Sequence, residues 1–491
     1  MTKLLHSWGM NTNPITQLEQ FRQEVYHTFD HRVDAATELL DALTGNITAR
    51  SVVELSLAPS FRRTYSSVYV AIGACFAITQ PEDRRRREQT LLRLIAAHLA
   101  PPERRKFWLF GMDATAIPRI FARTLPDRGF VHCANPIGGN KPITIGHQYS
   151  LLAYLPAKLP GVDPAWIVPL LWRRIPTQET ELQVGVAQVA TLMTDARLPF
   201  HDDLCVQVVD SRYSVATFLS PVAQHANLVT ITRLRGTRIL YRQVAPEAAA
   251  AKPAGHPTWY GRPFDLQDAT TWGPPAETAA TTHTSRRGRT YTVQIQAWRD
   301  LLMRGRRGCP MQTQPFTLLR VRWLDADGQS VFKRELWLVV VGARRHELTL
   351  LEVQQAYRQR YDLEHFFRFG KQRLLLASFQ TSDAERETNW LQLSQLAYTQ
   401  LYLSRTLVNR RPRPWERYLP SQPTAVATPT MTQRAFAAII RPFGTPAAAP
   451  KRRGNAPGRA KGMCPRPRPR HPVVKKTAPA AKKTPNQPQT G

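Results

Sequence analysis

The sequence is poor in acidic residues and contains no long apolar run. It has 36 Asp and Glu against 67 Lys and Arg, which gives a formal net charge of +31 over 491 residues. The longest uninterrupted apolar run extends from Val68 to Ile78, far short of the roughly 18–20 residues that span a bilayer. The first residues turn polar before an apolar core of signal-peptide length accumulates. We therefore predict a cytoplasmic protein without a transmembrane segment.

Cysteines are few and widely spaced. The five are Cys75, Cys133, Cys205, Cys309 and Cys464, and no two of them form a Cys-x-x-Cys pair. Zinc sites and disulfide frameworks depend on closer or repeated cysteine spacings. The spacing therefore indicates reduced thiols and no zinc site.

The excess of positive charge indicates a polyanionic partner. Each DNA phosphate that Lys or Arg neutralises releases condensed counterions, which favours binding. Hydrophobic residues make up 42% of the chain, which is enough for sizeable cores, and the length allows about three domains. The composition therefore predicts a basic, folded, multidomain protein that binds nucleic acid.

Changes in composition and hydrophobic periodicity divide the chain into six predicted segments. Apolar residues spaced by three and four predict helices up to Pro101, and alternating strands and helices then predict a mixed α/β layer. A stretch with Thr-rich alternating patterns predicts antiparallel strands inserted into that layer. The segments are 1–101 (helical, DNA-binding), 102–236 (α/β core, first part), 237–335 (β-rich insertion), 336–410 (core, second part), 411–440 (C-terminal extension) and 441–491 (basic tail).

Basic residues are concentrated in two places. From Arg441 onward the chain holds 13 Lys and Arg, 11 Pro and no acidic residue. Such a segment cannot bury enough apolar surface to offset its chain entropy, so disorder is predicted. Four consecutive arginines, 84–87, follow a predicted helix start, and they fit either a solvated helix face or a face that contacts phosphate.

Two aspartates follow short apolar runs in the α/β part of the sequence. The run 107–112 ends at Asp113, and the run 204–209 ends at Asp210. Both runs predict buried strands, so each aspartate would stand at a strand end, where the sites of α/β sheets are assembled. The alternative for each is an N-cap or turn role.

A second set of candidates lies on a helix predicted over 349–376. Tyr357, Arg360, Glu364 and Lys371 are separated by 3, 4 and 7 residues, which places them near one face of a helix. The alternative is that Arg360 and Glu364 form only a surface pair at i, i+4. A tyrosine, two cations and a carboxylate on one stripe are poorly explained by core packing, so the stripe is a candidate functional surface.

The spacing of these four residues resembles a known signature. The DDE transposases of bacterial insertion sequences carry the pattern Tyr-x2-Arg-x3-Glu-x6-Lys, which Tyr357, Arg360, Glu364 and Lys371 match without a gap. The likeness extends over about residues 105–405. The sequence is therefore similar to this family in its central part.

The resemblance implies an α/β fold with a ribonuclease-H-like core, in which Asp113 ends the first strand and Asp210 ends the fourth. Together with Glu364 they form the implied catalytic and metal-binding set. Three carboxylates suit two Mg²⁺ ions, which act on the attacking and leaving oxygens of a phosphodiester, and Mn²⁺ accepts the same oxygen ligands. The implied activity is cleavage of DNA at the ends of a mobile element and transfer of those ends into target DNA.

The resemblance also implies the DNA contacts and the partners. Tyr357, Arg360 and Lys371 would bind the DNA backbone near the cleaved phosphate, Arg360 through its planar fork and Lys371 as a point charge. The implied partners are double-stranded DNA, with terminal inverted repeats and a target, and a second copy of the chain, in the bacterial nucleoid. We expect no nucleotide cofactor and no membrane association.

Two other functions stay open on the sequence: a nuclease that cleaves without integration, and a derived protein that only binds DNA. Trp259, Trp272 and Trp298 of the insertion are each candidates for stacking on an extruded base, as in hairpin-forming relatives, or for buried packing. The sequence does not choose among the three.

Overall fold

A computed structural model describes residues 13–78, 80–133, 141–159, 163–244, 259–285, 288–408, 426–451, 458, 461–464 and 466–475. The helices in these ranges are α1 (Pro14–Thr28), α2 (Val33–Thr44), α3 (Tyr65–Ala74), α4 (Pro81–Ala97), α5 (Glu181–Met193), α6 (Ala216–Val222), α7 (Leu350–Gln359), α8 (Asp362–Arg373), α9 (Ala384–Ser404) and α10 (Pro429–Ile440). The strands are β1 (Trp108–Pro118), β2 (Gly129–His132), β3 (Ile143–Tyr154), β4 (Val168–Ile175), β5 (Cys205–Val209), β6 (Leu228–Leu234), β7 (Ile239–Tyr241), β8 (Pro263–Asp265), β9 (Glu277–Thr284), β10 (Thr290–Leu301), β11 (Phe316–Leu324) and β12 (Leu336–Val341). None of the helices in these ranges is long and apolar enough to cross a membrane.

One large mixed sheet organises the fold. β1 is antiparallel to β3, and β3 pairs on its other edge with β2 and β4. On the opposite edge β1 is parallel to β5, and β5 is parallel to β6. β5 is buried along its whole length, as expected for a parallel strand that is covered on both faces. The sheet therefore places β1 and β5 side by side in its interior.

β1 continues past Asp113, so the prediction that the first strand ends there is wrong. β1 pairs with β5 only from Trp108 to Gly111, but it stays paired with β3 as far as Pro118. The residues after Asp113 form no apolar run, and it is the antiparallel partner that sustains the strand. Asp113 therefore lies just past the point where the parallel neighbour stops.

Residues 237–335 contribute strands to the same sheet. β9, β10 and β11 are antiparallel neighbours, as the alternating sequence predicts. β11 pairs with β12, and β12 pairs with β6. β12 thus joins the strands of this segment to the centre of the sheet, while β7 and β8 form a separate two-stranded sheet.

The N-terminal region is helical, as predicted, and it packs against the rest of the chain. α1, α2 and α3 all contact α9. One continuous hydrophobic cluster includes Phe21 and Leu39 of the N-terminal helices together with Trp390 and Leu396 of α9. The N-terminal helices and the α/β layer therefore share a core.

The arginines at 84–87 do more than cover a helix face. Arg87 is buried, donates to the side-chain oxygen of Asn389 at 2.9 Å and lies over the ring of Phe76. Arg84 pairs with Glu385. These two side chains dock α4 on α9, a role that neither sequence-based interpretation anticipated.

Parts of the basic tail contact the folded body, so the prediction that the whole tail from Arg441 is disordered is wrong for those parts. The carbonyl of Gly444 accepts a hydrogen bond from Arg22 at 2.9 Å, and Val474 forms a parallel bridge with Gly129. These contacts use main-chain groups of the tail, which a composition rich in Pro and Arg does not reveal. Residues 452–457, 459–460, 465 and 476–491 of the tail lie outside the described residues.

Candidate active site

Asp113 and Asp210 lie at the same edge of the sheet. The last residue of β1 that pairs with β5 is Gly111, two positions before Asp113. Asp210 directly follows Val209, the last residue of β5, as predicted. Because parallel neighbours end at the same edge, the topology brings the two aspartates together.

The turn after β5 fixes Asp210. Its carboxylate accepts the N–H of Arg212 at 2.8 Å and so caps the short 3₁₀ turn Ser211–Tyr213. Its backbone carbonyl accepts the hydroxyl of Thr232, on β6, at 2.8 Å. The N-cap role that the sequence left open is therefore real, and it uses one of the two carboxylate oxygens.

The helix predicted over 349–376 is two helices. α7 begins after Thr349, whose hydroxyl accepts the N–H of Glu352 at 3.2 Å in a capping box. Between α7 and α8, the N–H groups of Arg360 and Tyr361 each bond the carbonyl three residues earlier at 3.2 Å. Such 3₁₀ bonds tighten the turn and often mark functional positions.

Arg360 extends from this break to Asp113. Its Nη1 donates to Oδ2 of Asp113 at 3.0 Å, and the two side chains are 20% and 16% exposed. Burial lowers the pKa of Arg360, but the charges of Asp113, Asp210 and Glu364 raise it overall. Arg360 therefore interacts with all three predicted carboxylates, and the alternative of a simple surface pair with Glu364 is wrong.

The surroundings of Asp113 disfavour its ionised form. Burial raises the pKa of Asp113 to about 6, with Asp210 and Glu364 adding to the rise and Arg360 opposing it. Because two carboxylates and one guanidinium act on Asp113, an added cation beside this carboxyl would stabilise its ionised form.

α8 carries Glu364 in its first turn and Lys371 in its last, two turns apart on one face. Glu364 is exposed and Lys371 is half-buried. Burial lowers the pKa of Lys371, and the charge of Glu364 opposes this. The helix can approach β1 closely because a Cβ at Gly111 would lie 3.0 Å from Cδ1 of Leu363.

Tyr357 is half-buried beside the same charges. Burial raises its pKa, and the positive charges of Arg360 and Arg233 oppose the rise. Arg233 is an exposed residue of β6 that the sequence reasoning missed. The signal available for it was a single charged residue in a strand of aliphatic and threonine residues.

The tryptophans of residues 237–335 differ in their surroundings. Trp298 is 2% exposed, and its ring contacts Trp272 and Trp337. Trp272 also stacks on Phe264, with ring centroids 6.3 Å apart. Packing accounts for these residues, whereas Trp259 is 44% exposed and stacking on a base stays a prediction for it.

A buried ion cluster supports the far end of β1. Glu387 of α9 accepts hydrogen bonds from His147 and, at 2.7 Å, from the hydroxyl of Tyr149, and it pairs with Arg119 at 2.5 Å. Arg119 also donates to the carbonyl of Ala377, just beyond α8, at 3.2 Å. The cluster ties β1, β3, α8 and α9 together. Sequence reasoning missed it because its members are far apart in the chain.

The donor chemistry of the site fits a divalent metal ion. In the described part of the chain no three His, Cys, Asp or Glu side chains are placed to hold one ion together. Mg²⁺, however, is commonly held by one or two carboxylates with water and substrate phosphate completing its shell. Asp113 and Asp210 at one sheet edge carry oxygen donors of this kind, and the charge of Glu364 also acts on Asp113.

The chain belongs to the DDE superfamily endonuclease family, because the sequence model of that family matches residues 24–305, more than half of the chain. The match includes Asp113 and Asp210 and ends before Tyr357, so it does not cover the signature on α7 and α8. No curated protein matches the chain. Membership of this family implies a nuclease or transposase that acts on DNA, in a superfamily whose nucleases usually use divalent metals.

Proposed function

We propose that this protein is a DDE transposase that cleaves DNA with Asp113, Asp210 and Glu364. The observation that carries the proposal is that Arg360 bonds Asp113 at 3.0 Å, with the charges of Asp210 and Glu364 acting on both side chains. They come from β1, the end of β5 and α8, which are distant in the chain. Because the family acts on DNA, a phosphodiester is the substrate that such a site would cut.

The strand order supports a ribonuclease-H-like core. β4, β3 and β1 are antiparallel neighbours, and β5 and β6 follow parallel to β1. With β1, β3, β4 and β5 taken as the first four core strands, Asp113 lies on the first and Asp210 ends the fourth. In this proposal residues 237–335 are an insertion between the fifth core strand, β6, and the helix that carries Glu364.

Asp113, Asp210 and Glu364 would hold two Mg²⁺ ions, for which Mn²⁺ would substitute. When bound, the ions supply charge stabilisation at the attacking and leaving oxygens. The chain's own part is to orient the ligands. The N–H groups of Ala114 and Arg212 each bond one oxygen of an aspartate at 2.8 Å, which fixes how each carboxylate is turned.

Tyr357, Arg360 and Lys371 bind the DNA backbone near the cleaved phosphate in this proposal. The planar fork of Arg360 suits paired bonds to phosphate oxygens. Lys371 lies two turns along α8 from Glu364 and adds a point charge further along the strand. The full reaction is cleavage at terminal inverted repeats by two copies of the chain, followed by attack of the 3′-hydroxyl on a target phosphodiester, whose own P–O bond breaks as the new one forms.

The test is cleavage and joining of the DNA that flanks the reading frame. Purified protein is incubated with a labelled duplex from that DNA, a target plasmid and Mg²⁺, and the products are separated on denaturing gels. The wild type should release 3′-hydroxyl ends and join them to the plasmid, and Asp210→Asn and Glu364→Gln should do neither. Asp202→Asn changes a 98% exposed aspartate and should keep both activities.

Each possible result bears on a different part of the proposal. Cleavage without joining would favour the nuclease alternative. Binding without cleavage by the wild type would favour the protein that only binds DNA. Full cleavage by Glu364→Gln would overturn the assignment of the catalytic set.

A further inference from the structure

Residues 466–475 of the basic tail dock on the loop that follows β1. The N–H of His471 bonds the carbonyl of Arg123 at 3.0 Å, and the N–H of Val474 bonds the carbonyl of Arg128 at 2.7 Å. The segment is therefore attached at two points by main-chain hydrogen bonds, in addition to its bridge with the edge strand β2.

Arg128 holds both the loop and the tail. It is 3% exposed, and the hydrogen bonds of its guanidinium in the described part of the chain all go to backbone carbonyls. One acceptor is the carbonyl of His471 at 3.2 Å. The loop acceptors are the carbonyls of Arg119, Ile120, Arg123 and Leu125. A buried cation needs such partners, so the tail completes the surroundings of Arg128.

The first half of the docked segment, residues 466–470, has an arginine at every second position. Arg466, Arg468 and Arg470 alternate with prolines and are exposed, and Arg468 also bonds the hydroxyl of Ser382. Proline fixes φ and has no N–H, which keeps such a segment extended and out of helices. Since no acidic residue follows Glu416, the segment itself carries nothing to neutralise these charges.

The segment lies beyond the C-terminal end of β1, the strand that carries Asp113. β1 runs on from Asp113 to the loop at Arg119, a length of about 20 Å at roughly 3.4 Å per residue. α8 follows the same direction, since it carries Glu364 near its start and the carbonyl of Ala377 beyond its end bonds Arg119 at 3.2 Å. Lys371 lies between these points, so the docked tail continues the line of positive charge that begins at the site.

We propose that residues 466–475 form a fixed phosphate-binding strip, in which Arg466, Arg468 and Arg470 hold the DNA backbone at a distance from the cleaved bond. The inference rests on the proposed function for DNA as the ligand, and it adds a DNA contact outside the catalytic set. At about 3.4 Å per base pair, a separation of about 20 Å or more corresponds to about six base pairs or more. The strip is a positioned part of the protein and not a loose tether.

The test compares three full-length variants with the wild type. The first replaces the three strip arginines with glutamine. The second replaces Lys476, Lys482 and Lys483 with glutamine, which removes the same charge from the chain beyond the docked segment. The third, Val474→Pro, deletes the N–H that bonds Arg128 and keeps every charge. Binding to a long duplex of arbitrary sequence is measured in EDTA over a series of salt concentrations.

Each phosphate contact contributes about 0.9 to the slope of log affinity against log salt. The variant without the three strip arginines should therefore have a slope that is shallower by about 2 to 3. The slope for Val474→Pro should become shallower by a similar amount. The lysine variant should stay close to the wild type. Three results would overturn the proposal of a phosphate-binding strip. They are an equal change of slope in the arginine and lysine variants, a wild-type slope for Val474→Pro, and an absence of DNA binding by the wild type.

The binding assay needs no cleavage, so the two proposals fail separately. Wild-type slopes in the strip variant, together with cleavage that depends on Glu364, would reject the strip and leave the proposed function. Cleavage by Glu364→Gln, together with the expected slopes, would reject the catalytic assignment and leave the strip.

Discussion

Asp113 should destabilise the metal-free protein, and Asp113→Asn should remove that cost. Burial and the charges of Asp210 and Glu364 raise its pKa from 3.8 to about 6, although Arg360 opposes the rise. One pKa unit corresponds to about 1.4 kcal/mol, so ionised Asp113 costs about 3 kcal/mol of folding free energy at neutral pH. Asparagine keeps the shape of the side chain without the charge. That cost already includes the attraction of Arg360, so the gain should be about 2 to 3 kcal/mol.

The gain should depend on pH in one direction. Below pH 3.8 the carboxyl is protonated in both the folded and the unfolded chain, so it adds no cost. Between pH 3.8 and about 6 the unfolded chain ionises while folded Asp113 keeps its proton, so the stability of the wild type falls. Above that range the full cost is present. The advantage of Asp113→Asn should therefore grow as the pH rises and then level off.

Thermal melting in EDTA at about pH 4 and about pH 8 measures this difference. Asp113→Asn should melt above the wild type at the higher pH, should lose most of that advantage at the lower one, and should have no cleavage activity. Asp202→Asn, at a 98% exposed position, should show no such dependence. A variant that melts at or below the wild type at about pH 8 would refute the cost of ionising Asp113 in the folded protein.

Three further substitutions test the site and its support. Arg360→Ala should slow single-turnover cleavage about 100-fold or more; near-wild-type cleavage would discredit its role at the substrate. Glu364→Gln should abolish cleavage with both Mg²⁺ and Mn²⁺ and retain DNA binding in EDTA, and residual metal-dependent cleavage would contradict its place among the ligands. In chemical denaturation, Glu387→Gln should lower the free energy of unfolding by about 3 kcal/mol or more, because buried Arg119 loses its partner. The control Glu385→Gln breaks a more exposed pair on the same helix and should cost about 1 kcal/mol or less; equal losses would contradict the importance of the buried cluster.

Local sequence patterns predicted one aspartate position fully and the other in part. The apolar run 204–209 stops where β5 stops, so Asp210 stands at the predicted strand end. The run before Asp113 stops in the same way, but β1 continues because β3 supplies hydrogen bonds as far as Gly146. Antiparallel pairing is made by backbone groups, so side-chain composition does not mark the true end of the strand.

The helix break and the docked tail depend on contacts between distant residues. Arg360 bonds an aspartate 247 positions away, and Arg128 bonds a tail carbonyl 343 positions away. A periodic pattern predicts which face of a helix is apolar. It does not predict that the helix is interrupted by a 3₁₀ turn, or which distant residue a side chain at that turn contacts. Composition likewise predicted disorder from the lack of apolar surface, without information about a buried arginine that binds carbonyls.

The net charge of the chain indicates the class of partner but not the surface that binds it. Arg22 is buried and pairs with Asp41 at 2.9 Å, and Arg87 is buried against Asn389. These two cations join helices to each other and cannot reach a phosphate, so Arg87 is not available to DNA although its neighbours Arg85 and Arg86 are exposed. Substitution of Arg87 should therefore loosen α4 from α9 before it weakens DNA binding. The affinity for DNA should depend on the few cations beside the carboxylates and on the docked strip, and not on the total charge.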